Sequence, residues 1–170
     1  MNNKLFSSYN RVKYLMRVKH WHGRSVHSPF LYSVVRESFM ENDTLKIEEK
    51  LYNELIDNGF TKAHSQRVCR LYAYLDYKSY TFDANSYNNE DLIIVSEEID
   101  VHDISAISEK AHKDKRTICV VVKSIYKTTK RYKTWNLLSL ATGGVAVDMY
   151  HTGYLFLDYY LNKQKFKMRF

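Results

Sequence analysis

Apolar positions recur at helical spacing through roughly the first eighty residues and at strand spacing after them. Between residues 4 and 18, Leu5, Phe6, Tyr9, Val12, Leu15, Met16 and Val18 stand among Lys4, Arg11, Lys13 and Arg17. That spacing predicts an amphipathic basic helix packing its apolar stripe on the domain, and an anionic lipid surface is the alternative such a helix allows. The segment 19–30, KHWHGRSVHSPF, reads as a loop ending in a helix start. Ser28 is placed to cap the free N–H groups, and Pro29 sits where its missing N–H costs nothing. Phe30, Leu31, Val34, Val35 and Phe39 then line one side of a helix running to about Met40. A third helix is predicted from Thr44 to Asn58, with Leu45, Leu51, Leu55 and Ile56 inward and Gly59 as its stop. A fourth covers 63–77 through Val68, Leu71, Tyr72 and Leu75.

From Tyr80 the period changes. Tyr80–Ala84 and Asp91–Ser96 are short strand candidates, and the unbroken β-branched run in Thr117–Lys123 reads as a strand covered on both faces. A helix over about 100–113, capped by Asp100 or Asp103, separates the second from the third. Another, over about 127–141, carries Tyr132, Trp135, Leu138 and Leu140 on its core stripe and stops at Gly143-Gly144. Val145–Tyr150, Tyr154–Tyr159 and Lys165–Phe170 then read as strands joined by tight turns at 151–153 and 161–163. Helical crossovers imply parallel neighbours and tight turns antiparallel ones, so a mixed sheet is expected, parallel first and antiparallel at its end. The pattern divides the chain into a helical N-terminal region, 1–78, and an α/β core, 79–170, packed as one unit.

Composition narrows the function classes. A chain of 170 residues with 45% hydrophobic and 26% charged positions suits one domain with a real core. No apolar run approaches the ~20 residues that span a bilayer, and the N-terminus lacks the apolar stretch of a signal peptide. Cys69 and Cys119 form no metal spacing, which fits a reduced, cytoplasmic protein. Five glycines, about 3% against a usual ~7%, leave little material for phosphate-cradling loops. The net charge of +7 is distributed in blocks, among them +6 over 1–40, −7 over 81–114 and +7 over 115–135. Separate basic and acidic surfaces are expected, so nucleic acid is allowed as a partner without being demanded.

Four segments, VHSPFLY at 26–32, RLYAYL at 70–75, VVVKSIYKTTKRYKTW at 120–135, and VAVDMYHTGYLFL through KFKMRF at 145–170, together resemble a bacterial family of class I S-adenosylmethionine-dependent methyltransferases found mainly in Bacteroidetes-like genomes. The His27-Ser28-Pro29-Phe30 framework motif and the ending with Asp148, Gly153 and Phe166-x-x-Arg169-Phe170 carry most of that likeness, and DLIIV at 91–95 looks like the family's fourth strand. The resemblance covers both ends of the chain and fails in its middle. It implies a Rossmann-like methyltransferase sheet of order 3-2-1-4-5-7-6 from which strands 2 and 3 are missing. What remains, 1-4-5-7-6, is contiguous, with strand 1 as a new edge that helices or a partner must cover.

The same comparison implies a depleted site. The first strand is followed by NSYNNE and then at once by DLIIV, with no glycine between Gly59 and Gly143, so the cofactor loop has no residues to occupy. Asp83 and Ser96 are the positions where the resemblance would place S-adenosylmethionine contacts if a site survives. Where related metal-dependent enzymes carry acids after the fourth and fifth strands, this chain has Ser96 followed by Glu97-Glu98, and Lys123-Ser124-Ile125-Tyr126. A lysine cannot ligate Mg²⁺ and repels it.

Other constellations have plainer readings. His20, His22 and His27 form H-x-H-x4-H, more simply an ordering loop than a metal site. His102, His112 and His151 read as surface residues. Lys123, Lys127, Lys130, Arg131 and Lys133, interleaved with Tyr126, Tyr132 and Trp135, form a basic segment that reads as a solvated helix face. Tyr87, Tyr150, Tyr154, Tyr159 and Tyr160 are candidates for a subunit contact. The expectation is therefore a methyltransferase-like, non-catalytic protein without a cofactor, acting through a protein partner or its own oligomer. The alternatives are an active S-adenosylmethionine-dependent methyltransferase with an altered or partner-completed site, and a nucleic-acid binder using residues 115–135.

Overall fold

β-branched and aliphatic runs covered on both faces form the centre of the molecule. A computed structural model of the chain describes residues 3–17, 20–21, 26–40, 48–96, 101–158 and 160–169. The elements are α1 (Asn3–Arg17), β1 (His20–Trp21), α2 (Pro29–Val34) continued by a π-helical turn (Val35–Phe39), α3 (Glu49–Asp57), α4 (Lys62–Tyr74), β2 (Tyr80–Thr81), β3 (Leu92–Val95), α5 (Val101–Lys113), β4 (Ile118–Lys123), α6 (Thr129–Ala141), β5 (Val145–Asp148), β6 (Thr152–Leu157) and β7 (Gln164–Arg169). The strands form one mixed sheet of order β1-β7-β5-β6-β4-β3-β2, in which only β6 runs antiparallel to its neighbours, β4 and β5. The chain is thus an α/β protein, as the change of period predicts.

Alternate residues of each strand enter alternate cores. Leu92, Ile94, Cys119, Val121, Tyr154 and Phe156 pack with α2, α3 and α4, whereas Ile93, Val95, Val120, Val122 and Leu155 pack with Tyr14 of α1 and with α5 and α6. The sheet is the middle layer of three, and each fully buried aliphatic side chain contributes about 1.5–3 kcal/mol. Local signals account for the helix ends. The Ser28 hydroxyl accepts from the Leu31 amide at 3.3 Å with Pro29 in the first turn, and Thr61 and Thr128 cap α4 and α6 in the same way. Gly59, at φ +73°, closes α3 where its position predicts.

Several boundaries differ from the pattern, each for a local reason. The strand expected over Tyr80–Ala84 stops at Thr81, because the Asp83 carboxylate accepts from the Asn85 amide at 2.9 Å and bends the chain into a turn. The strand expected to run to Tyr150 ends at Asp148, whose carboxylate takes the Tyr150 amide at 3.0 Å, and the turn moves back so that β6 begins at Thr152. His20–Trp21, expected as loop, pairs in parallel with Met168 and Arg169. Of the apolar residues that α6 carries, Trp135 and Leu138 are buried and Leu140 is 59% exposed. The predicted span 44–47, the Asp100 cap and Tyr159 lie outside the described residues.

One expectation about topology is corrected. The tight turn after β6 does not make β7 its antiparallel neighbour; the chain passes the start of β5, and β7 pairs with β5 in parallel. Gly144 stands at that crossing, with φ +94° and its carbonyl accepting from the Gln164 amide at 3.0 Å. A Cβ there would lie 2.0 Å from the Phe156 carbonyl oxygen, whereas at Gly143 it would meet nothing within 4 Å. Gly144→Ala is therefore expected to cost about 3 kcal/mol of stability and Gly143→Ala no more than about 0.5 kcal/mol. Urea unfolding midpoints of the two variants check this, and equal losses would show that the crossing has been read wrongly.

Candidate functional site

Asp148, at the carboxyl end of β5, is, among the described residues, the charged one most completely withdrawn from water, at 1% exposure. Its carboxylate accepts from the Tyr126 hydroxyl at 2.7 Å and the Tyr150 amide at 3.0 Å, with the Lys167 ammonium 4.0 Å away. Burial raises its pKa, while the Tyr126 hydroxyl, the Tyr150 amide and the nearby lysines pull it back down. The Tyr14 hydroxyl donates to the backbone carbonyls of Asp148, at 2.7 Å, and Met168, fastening α1 to the sheet. Tyr126 and Tyr150 stack with centroids 4.8 Å apart, and Tyr14 meets Tyr150 at 5.3 Å. Burial and the Asp148 charge push the Tyr126 hydroxyl well above the ordinary tyrosine range, and burial does the same to Tyr14. Both therefore keep their protons at neutral pH, and the group acts as a hydrogen-bonded anchor rather than an acid–base pair.

The turn that this anchor shapes carries unusual backbone. Tyr150 has φ +67°, and Ser124, whose amide donates to the His151 carbonyl at 2.5 Å, has φ +55°. Bulky residues seldom hold such angles, and positions of this kind concentrate at functional sites. Beside the turn lies a cavity of about 160 Å³, open to solvent, on the carboxyl edge of the sheet. Arg11 of α1, His64 and Arg67 of α4, His151 of the turn and Arg169 of β7 line it over a floor that includes Tyr14 and Tyr150. Among the described residues no carboxylate lines it. The His64 and His151 rings lie 5.6 Å apart. Burial, the Arg67 charge and His151 together push His64 down to about 4, and burial with the Arg11 charge lowers His151.

The residues singled out in the sequence lie elsewhere or do other work. Asp83 is fully exposed and is held in its own turn by the Asn85 amide and the Ser86 hydroxyl. Ser96 is half-buried and donates to Asn58 Oδ1 at 3.4 Å, so the two are engaged separately. The basic segment divides. Lys123 reaches the Asn58 carbonyl at 2.7 Å, with burial, Lys127 and Arg131 lowering its pKa. Arg131 donates to the carbonyls of Lys123, Val95 and Ser96 at 2.8, 3.4 and 3.3 Å. Lys127, Lys130 and Lys133 are exposed, Lys130 with a partner of its own, while Trp135 is fully buried. Tyr150 and Tyr154 are buried, so the tyrosine set is not a shared surface. His27 is exposed, and Ser28, Pro29 and Phe30 start α2; Glu97, Glu98 and His22 lie outside the described residues.

Among the described residues no cluster of three or more His, Cys, Asp or Glu is placed to hold a metal ion, and no helix is long and apolar enough to cross a membrane. The sequence reading did not join the cavity residues because they come from four distant segments with no local spacing; Arg11, Tyr150, His151 and Arg169 were each noted there for other reasons, and His64 and Arg67 were not. No protein-family model, curated protein or solved structure matches the chain.

His64 gives the cavity a pH signature. With Arg67 on its own helix, His151 on the turn, Arg11 and Tyr14 on α1 and Arg169 on β7 around it, the folded protein holds His64 neutral down to about pH 4. An unfolded chain takes up that proton near pH 6.5, so stability is lost as pH falls from there toward 4. His64→Gln is expected to flatten this slope. Urea midpoints measured across that window check it, and an unchanged slope in the variant excludes His64 as its source.

Proposed function

We propose that this chain is a degenerate methyltransferase-like protein, non-catalytic, that acts by binding, with another protein or a second copy of itself as partner. The observation that carries the reading is Arg131. Its guanidinium spans the carboxyl ends of β3 and β4, bonding carbonyls of Val95, Ser96 and Lys123. In an open α/β sheet the carboxyl ends of the parallel strands form the crevice where small ligands sit. Here that crevice is occupied by the protein's own cations, Arg131 and Lys123.

The residues present do not fit the groups that such an enzyme would use. A hard divalent cation needs convergent oxygen ligands, and at the end of β4 it would meet the Lys123 ammonium, bound to the Asn58 carbonyl at 2.7 Å. A cofactor of nucleoside size needs an enclosing site of roughly 300–1,000 Å³. The cavity beside the Asp148 turn measures about 160 Å³. The strand order also supports the reading. Written from the β2 edge, β2-β3-β4-β6-β5 has the one antiparallel strand second to last, as does the 1-4-5-7-6 remnant of a class I methyltransferase sheet. β7 and β1 extend it on the far side. For the binding role, Tyr9, Val12 and Met16 stand 61%, 60% and 83% exposed along α1, an apolar stripe of the kind that protein contacts cover.

Calorimetric titration of the full chain with S-adenosylmethionine tests the proposal. No saturable heat is expected up to about 1 mM ligand. One-to-one binding in the micromolar range overturns it and favours the alternative, an active methyltransferase whose site is built differently.

A further inference from the structure

The cationic cavity is independent of the crevice that Arg131 closes, and it lies on the other side of the antiparallel strand. We infer that this cavity, where Arg11, Arg67, Arg169, His64 and His151 converge, is a binding site for the dianionic phosphate group of a small phosphomonoester.

Charge is the first argument. Three guanidiniums and two imidazoles are brought together from α1, α4, the β5–β6 turn and the end of β7, and among the described residues no carboxylate lines the space between them. The nearest buried acid, Asp148, has its carboxylate engaged by Tyr126, the Tyr150 amide and Lys167. Assembling like charges costs free energy in the absence of an anion; at His64 burial is the main cause of the lowered pKa, and the Arg67 charge adds to it. Arg67 and Arg169 also have partners within the protein, so recognition rests on their charge and their guanidinium edges together.

Size and chemistry set the class of ligand. A cavity of about 160 Å³ accepts a tetrahedral oxyanion and a little more, not a nucleoside. Guanidinium groups match phosphate oxygens with paired N–H donors, and a dianion offsets three fixed positive charges better than a single carboxylate. Leu15 and Met149 supply an apolar portion of the wall, which suits the organic part of an ester. The imidazole of His151 is delivered by the turn that holds Tyr150 at φ +67°, which gives that strained conformation a purpose.

The full chain, titrated calorimetrically at constant ionic strength with phenyl phosphate, inorganic phosphate and benzoate, provides the test. Phenyl phosphate is expected to bind one to one at sub-millimolar concentration, at least about tenfold tighter than benzoate. Arg11→Gln and Arg169→Gln, both on the exposed rim, are expected to weaken it about tenfold each while leaving the circular dichroism spectrum unchanged. Inorganic phosphate weaker than phenyl phosphate identifies an ester as the ligand; equal affinities identify free phosphate, keep the phosphate site and remove the ester. Benzoate binding as tightly as the phosphates, affinities insensitive to both variants, or no saturation below about 10 mM overturns the assignment.

Discussion

A carboxylate withdrawn from water costs several kcal/mol unless its oxygens are satisfied, and Asp148 is such a group at the end of a central strand. Much of the local architecture follows from meeting that demand. One oxygen takes the Tyr150 amide, which turns the chain at once into a left-handed residue and ends β5 two positions early. The other takes the Tyr126 hydroxyl, which requires β4 to be followed by a turn rather than directly by a helix. The Asp148 carbonyl then accepts from Tyr14, so α1 is tied to the same point. An anion, a tight turn and a helix on the far face of the sheet are thus one cooperative unit, and the cavity lies beside it.

The legible part of the fold was the part governed by periodicity and by caps. β3 and β4 are continuous apolar runs that only a sheet covered on both faces can bury, and Ser28, Pro29 and Gly59 carry conformational preferences strong enough to fix α2 and α3 locally. What periodicity could not supply was competition from side chains. Asp83 and Asp148 each end a strand by capturing an amide two residues on, and nothing in the apolar pattern distinguishes them from aspartates that do not. The place of β7 differs from expectation for a related reason. A short connection usually returns to the neighbouring strand, but Gly144 lets this one pass over the start of β5. The cavity was invisible because its three arginines and two histidines come from four separate segments, and charge counted in blocks along a chain says nothing about convergence in space.

The basic segment shows how a charge run changes meaning once it is folded. Lys123 donates to the Asn58 carbonyl at the end of α3, and Arg131 donates to carbonyls at the ends of β3 and β4, acceptors that the sheet ladder leaves without donors. Lys163 and Lys165 do similar work around α6, the first at the Leu140 carbonyl and the second at Asn136 and Ser139. Cations spent on the protein's own oxygens are poor material for a groove that tracks a nucleic-acid backbone, which needs each of several charges free to meet a phosphate. Lys127, Lys130 and Lys133 remain exposed, close to the start of α6, where the helix dipole is already positive and favours an anion only over a single turn. The positive charge that converges instead lies at the Asp148 turn, drawn from residues that the sequence keeps far apart. Besides these exposed lysines, the positive charge has two different uses, carbonyl capping across the crevice and a compact cationic cavity on the other side of β6. Of these two, the second gathers its charge around a solvent-open space, and that difference is what separates a structural cation from one able to recognise a ligand.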